Sequence, residues 1–241
     1  DDVESRGLGD VYKRQVQQMG TRIALASGRP TYGLMPLAKI LELGNYGGFI
    51  VSYNGCQIIN AQNGEILFER RINPEMLPYL EKKAHKNGFA IFTYHDDTLL
   101  TDSPNNEHIR TEAKLNNLKI IKEEDFSIAI DFAPCKCMLV SDDEEALTGL
   151  EEHWKRRLNG TLDVFRSEPY FLEVVPCGID KANTLGALLS HLNITREEVI
   201  AIGDGVCDVN MLQIAGLGIA MGHSQDSVKV CACLLYTSPS P

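Results

Sequence analysis

Residues 199–211 read VIAIGDGVCDVNM. The run Val199-Ile200-Ala201-Ile202 is apolar and stops at Gly203. An apolar run this short, bounded by a turn signal, fits a buried strand of a parallel sheet. Two carboxylates follow, Asp204 and Asp208, and then Val209, Met211 and Leu212 at helical spacing. In open α/β sheets ligands bind beyond the carboxyl ends of the strands. Two carboxylates there suit a hard cation such as Mg2+, which is held by one or two carboxylates, waters and substrate phosphates. The alternative is a plain strand-to-helix loop in which Asp208 caps the helix. On this stretch alone both readings stay open.

Working outward, 217–221 reads as a last strand and 181–192 as a helix that resumes an α/β rhythm at Gly178. The same rhythm governs the first quarter of the chain. A helix tail at 16–20 with Gly20 as its cap leads to a strand at 21–27, a helix at 34–43 and an apolar strand at 48–53. Strand–helix–strand alternation marks a parallel α/β sheet. Between these parts the pattern changes. Asn63-Gly64 separates 56–60 from 65–71, a strong hairpin signal. Asn73-Pro74 opens a helix as cap and first residue, with Gly88 beyond its end. His95-Asp96-Asp97 separates strands at 89–94 and 98–101 and reads as a solvated hairpin tip. Helices at 104–117 and 143–158 and strands at 135–141, 161–166 and 170–175 complete this stretch, with Trp154 as core. Hairpins interspersed with helices indicate an antiparallel α+β module, 72–175, inserted into an α/β domain formed by 16–71 and 176–232.

Composition narrows the function. The 241 residues are 44% hydrophobic and 23% charged, with a formal net charge of -10. Nucleic-acid surfaces need clustered Lys and Arg, so this balance argues against one. No apolar run approaches the roughly 20 residues of a membrane span. The seven cysteines form no C-x-x-C pair, and their scatter suits buried free thiols in a reducing cytosol. Cys135 and Cys137 read as same-face residues of a strand.

The two ends share an unusual property. Residues 10–15 (DVYKRQ) and 233–238 (CLLYTS) are encodable by one short DNA read on opposite strands. That DNA resembles a transposon-end adapter used in preparing sequencing libraries. Neither end shows a helical or strand period. Residues 1–15 and 233–241 are therefore expected to be non-native, and are left out of the fold.

Three more stretches carry candidate chemistry. Ser27 ends a strand and precedes Gly28-Arg29-Pro30. A hydroxyl and exposed N–H groups at a strand-to-helix turn make a phosphate seat, although S-G-R-P is also a plain turn. Lys181 opens a helix, where a cation opposes the macrodipole unless an anion is near. Asn54, after the second strand, either contacts substrate or makes an ordinary Asn-Gly turn. Arg29 either faces the site or pairs at the surface.

In order, S-G-R-P, Y-N-G, an inserted α+β module, I-D-K and I-G-D-x-x-x-D-x-x-M resemble the haloacid-dehalogenase superfamily of phosphohydrolases, in its Cof-type (IIB) branch. The resemblance covers 16–232. It implies a doubly wound parallel-sheet core with an α+β cap, and a Mg2+-dependent phosphatase of small phosphorylated metabolites working through an aspartyl-phosphate. Ser27 and Lys181 would be the catalytic pair. Ser27, Gly28, Arg29, Asn54 and Lys181 would bind phosphate or substrate, while Asp204 and Asp208 would serve the metal. The partner would be a small metabolite in the cytoplasm, with no nucleic acid and no membrane.

Two departures accompany the resemblance. The family's first motif, Asp-x-Asp-Gly-Thr, supplies the nucleophile, the acid/base and a metal ligand, and it is absent. Cys207 stands where the family has Asn, and Ala182 where it has Gly. The polypeptide as given is therefore expected to be inactive. The rival expectations are a non-catalytic binding or regulatory protein on the same fold, a phosphomutase, and a structural domain whose carboxylates are only caps.

Overall fold

The computed structural model describes residues 3–236. The outermost parts of both ends expected to be non-native, 1–2 and 237–241, lie outside them. The chain divides into a first unit that runs to Ile179 and a second that starts at Asp180.

The first unit opens with α1 (Val3–Gln18), β1 (Ala24–Ala26), α2 (Thr31–Ile40), β2 (Phe49–Ser52), β3 (Gln57–Asn60) and β4 (Ile66–Glu69). These strands form one sheet in the order β1-β2-β3-β4. β1 and β2 are parallel, as a strand–helix–strand crossover requires. The β3–β4 hairpin turns at Asn63-Gly64, where Gly64 has φ +75°. Every residue of β2 is buried. Leu34, Ala38 and Leu41 pack with Leu43 and Ile50.

A second sheet follows. It is built from α3 (Leu77–Lys86), β5 (Ala90–His95), β6 (Thr98–Thr101), α4 (Glu107–Leu115), β7 (Lys119–Lys122), α5 (Phe126–Ala129), β8 (Cys137–Val140), α6 (Glu144–Arg157), β9 (Leu162–Glu168) and β10 (Phe171–Pro176). The strand order is β7-β6-β5-β8-β10-β9. Its strands alternate between two cores. Ile91, Cys137, Leu139, Leu172 and Val174 meet Leu80 of α3, Phe126 of α5 and Trp154 of α6. Phe92, Met138, Phe171 and Val175 face the other way, toward Ile109 and Ala113 of α4 and toward Tyr53 and Cys56. This period of two is what makes each strand serve two layers.

The second unit comprises α7 (Lys181–Leu192), β11 (Ile200–Gly203), α8 (Val209–Ile214), β12 (Leu217–Met221), α9 (Asp226–Lys229) and β13 (Leu234–Tyr236). Its three strands are all parallel, in the order β11-β12-β13.

Three expectations need correction. Residues 3–15, read as lacking a helical period, are continuous with the helix tail read from residue 16 and form α1 with it. Among 11–18 only Gln17 is buried, donating from Nε2 to the Leu41 carbonyl at 2.7 Å. A helix with so narrow a contact shows no apolar stripe. Residues 234–236 pair with the open edge of β12 through backbone bonds, which leave no side-chain pattern. Finally, β11 is not buried throughout. It lies at its sheet's edge, with Ala201 and Gly203 inside and Ile200 and Ile202 exposed. The strand β7 and the helix α5 were not foreseen; β7 reads Lys-Ile-Ile-Lys and is largely exposed.

Candidate active site

Ser27 follows β1 directly, and its N–H still bonds in register to the Val51 carbonyl of β2 at 2.9 Å. The next three carbonyls all turn into the protein. The Ser27 oxygen accepts from Asn54 N (3.0 Å), the Gly28 oxygen from Lys136 Nζ (2.8 Å) and the Arg29 oxygen from Tyr53 N (3.0 Å). In a trans peptide the N–H points opposite to the carbonyl. Inward carbonyls therefore turn the intervening N–H groups outward. Gly28 N–H has no partner among the described residues, while Arg29 N–H reaches the Ser27 hydroxyl at 3.2 Å. The loop runs straight into the N-terminus of α2, whose free N–H groups favour an anion. Arg29 itself is exposed.

Beneath this loop lies the Tyr53-Asn54-Gly55 turn, with φ of +52°, +58° and +109°. The left-handed region costs a non-glycine residue roughly 1–2 kcal/mol, so Tyr53 and Asn54 must be held there. The two backbone bonds to the Ser27 loop do part of this. Asn54 Nδ2 also donates to Glu173 Oε2 at 2.9 Å. Asn54 is thus buried under the loop with its amide nitrogen committed. A Cβ on residue 28 would fall 2.9 Å from Asn54 Oδ1, which is why glycine stands there.

Lys136 and Glu173 escaped the sequence reading. Their side chains form an ion pair of 3.1 Å and are 3% and 6% exposed. The available signal was a single charge inside each of two otherwise apolar strand regions, since Lys and Glu are almost never fully buried unless paired. His95-Asp96-Asp97 is the β5–β6 tip, with Asp97 paired to the exposed Lys119. Trp154 is fully buried in the core that includes α6.

In the second unit Lys181 opens α7, with Asp180 as its cap, accepting from Asn183 N at 2.6 Å. Lys181 is buried, and its Nζ lies 2.5 Å from Asp208 Oδ1 and 3.5 Å from Cys207 Sγ. The anion that its helix position called for is Asp208. Burial pulls the Lys181 ammonium down; Cys207 and Asp208 more than offset this and hold it above the usual lysine value. Cys207 is exposed as a residue, but its sulfur turns inward. Desolvation raises its thiol above the ordinary range, and Lys181 counters only part of that.

Asp208 stands at the N-cap position of α8, but its side chain makes no bond into that helix. Its Oδ2 accepts from Asp204 N (3.1 Å) and Gly205 N (3.0 Å). A Cβ on residue 203 would lie 2.5 Å from Asp208 Cβ, so glycine is needed where the carboxylate folds back. The Asp204 carboxylate is 62% exposed, 3.3 Å from His223 Nε2. Among the described residues no three His, Cys, Asp or Glu side chains converge as a metal cage. The donor set fits an ion that takes Asp204 as its carboxylate and completes its shell with water and substrate oxygens. Asp208, with both oxygens occupied, supports the Asp204 loop.

The structure thus gathers Ser27, Gly28, Arg29 and Asn54 in the first unit and Lys181, Asp204 and Asp208 in the second.

Known proteins bear on this geometry. The family described as haloacid dehalogenase-like hydrolase matches residues 12–239. A crystal structure of a haloacid dehalogenase-like hydrolase from Bacteroides thetaiotaomicron is 43% identical, with a TM-score of 0.90 over 95% of this chain and 85% of that one. A 5-amino-6-(5-phospho-D-ribitylamino)uracil phosphatase of Bacillus subtilis (strain 168) is 30% identical over 223 residues, covering 91% of this chain and 77% of that protein. A chloroplastic endoribonuclease of Arabidopsis thaliana is 26% identical over 229 residues, and there the chain spans only 38% of the relative's length. A family match that runs through both units makes the assignment plain: this chain belongs to the haloacid dehalogenase-like hydrolases.

Proposed function

We propose that this protein handles the phosphoryl group of a small phosphorylated metabolite, as a Mg2+-dependent phosphatase fold. The observation that carries the reading is the Ser27–Gly28–Arg29 loop, whose inward carbonyls leave an N–H face for an anion. Ser27 and the Gly28 N–H would hold phosphoryl oxygens. Lys181, kept charged beside Asp208, would neutralise phosphoryl charge. Asp204 would hold Mg2+, which when bound offsets charge on phosphoryl oxygens. Residues 72–175 would act as the cap that meets the rest of the metabolite. The Bacillus subtilis relative, named for a phosphorylated ribityl compound, supports a small-molecule substrate.

The family resemblance assigns the nucleophile to an Asp-x-Asp pair, and the 241 residues contain none. We therefore expect this polypeptide to bind phosphate without turning over phosphomonoesters. The missing pair favours a binding role for the chain as it stands over a phosphomutase. The test combines calorimetric titration with inorganic phosphate and a phosphate-release assay on a panel of sugar phosphates, with and without Mg2+. Binding without release is the expected result. Mg2+-dependent release would overturn the assignment of the nucleophile, and absence of phosphate binding would overturn the phosphate seat.

A further inference from the structure

Lys136 and Glu173 sit 37 positions apart in sequence and belong to the six-stranded sheet region, yet they reach the loop after β1. Lys136 Nζ lies 3.1 Å from Glu173 Oε2, 2.8 Å from the Gly28 carbonyl and 5.5 Å from the centre of the Tyr94 ring. Glu173 Oε2 also accepts from Asn54 Nδ2. A buried ion pair is a poor way to gain stability, because desolvation consumes most of its attraction and apolar residues of the same shape serve as well. What this pair does that an apolar pair could not is hold a backbone oxygen and the side-chain amide of Asn54, a residue with left-handed backbone.

We propose that Lys136 and Glu173 are positioning residues that set the phosphate-binding face of the Ser27–Arg29 loop. The proposal rests on the phosphate-seat reading above. Each partner fixes one peptide plane. Asn54, held by Glu173, bonds the Ser27 carbonyl through its backbone N–H and so directs Gly28 N–H outward. Lys136 bonds the Gly28 carbonyl and so directs Arg29 N–H. An ammonium on a carbonyl oxygen also polarises that peptide and makes its N–H a stronger donor. The cluster is buried, with Asn54 only 8% exposed, so it acts through the loop rather than by touching substrate. Arrangement of the seat is thereby coupled to the six-stranded sheet, which supplies both charges.

The test compares the full chain with Lys136→Met/Glu173→Gln. The double variant removes both charges together and keeps the Asn54 partner, so neither ion is left unpaired; Lys136→Met alone leaves a buried carboxylate and is the variant more prone to unfold. Inorganic phosphate is titrated calorimetrically into each protein. The Gly28 carbonyl-carbon and Arg29 amide-nitrogen resonances report the peptide that Lys136 contacts. Wild type is expected to bind phosphate, and the double variant about tenfold more weakly, the worth of one charge-assisted hydrogen bond. Its melting temperature should remain close to wild type while both resonances shift. Equal phosphate affinity in the two folded proteins would overturn the positioning role and leave a structural clamp. Failure of wild type itself to bind phosphate would sink the seat reading and this proposal with it, an outcome that the wild-type titration alone distinguishes.

Discussion

Asp208 has both carboxylate oxygens engaged before any ligand arrives, one by Lys181 and one by two backbone N–H groups. Removing its charge leaves a buried ammonium uncompensated. Asp208→Asn is therefore expected to lower stability by about 3 kcal/mol, measured by urea denaturation; a change below a few tenths would show the pair to be solvent-screened. Gly203→Ala tests the same contact from the other side. Its Cβ would collide with Asp208, so the carboxylate must move away from Asp204 N and Gly205 N. A loss similar to that of Asp208→Asn is the expected outcome, and little further loss when the two are combined. The sequence exposed Asp204, Asp208 and Lys181 as candidates through their places at a strand end and a helix start. It left open whether Asp208 caps a helix. The structure puts Asp208 at the start of α8 with one side-chain oxygen on a lysine 27 positions away, which no local pattern encodes.

At the scale of elements, the hairpin at Asn63-Gly64 stands where it was read, whereas the helix read over 104–117 starts only at Glu107. Asn106 caps α4 by accepting from His108 N and Ile109 N. Asn106→Ala should cost about 1 kcal/mol, detectable as a lowered unfolding midpoint with an unchanged denaturant slope. Where β12 passes α8, the contact is closer than a side chain permits. A Cβ on Gly218 would fall 2.2 Å from the Leu212 carbonyl. Gly218→Ala should force the helix off the strand at a cost of about 2 kcal/mol; a folded variant with unaltered stability would mean that α8 shifts freely. Hairpin turns, helix caps and apolar alternation were legible because each depends on neighbours within a few positions. The exposed face of β11 was not. Its apolar run matches a buried strand, but the sheet face that carries Ile200 and Ile202 is exposed, and their β12 neighbours Leu217 and Ile219 are only half-buried.

For the whole molecule, the buried thiols govern the alkaline limit. Burial pushes Cys135 and Cys137 from an ordinary value of 9.0 up to about 12. Between those values the unfolded chain releases protons that the folded chain keeps, so stability is full below pH 9 and falls as pH rises toward 12. Lys181, raised above 10.5, adds to the loss in the same direction as it deprotonates. Calorimetry in reductant should show a melting temperature that declines from about pH 9, and more shallowly in Cys135→Ala/Cys137→Ala. A decline of equal slope would remove these two thiols as its cause and leave Cys56, whose thiol burial also raises. By itself the sequence determined most of the succession of strands and helices, the two hairpins, the α/β class and the candidate residues at the strand ends. It could do so because periodicity, turn residues and caps are short-range chemistry. Tertiary structure alone decided that Lys181 faces Asp208, that Lys136 and Glu173 hold the loop at Gly28, that 3–15 is helical, and that β11 has a bare face. Each of these depends on which distant groups share a low-dielectric interior or leave a face uncovered, and that is fixed only when the chain has folded.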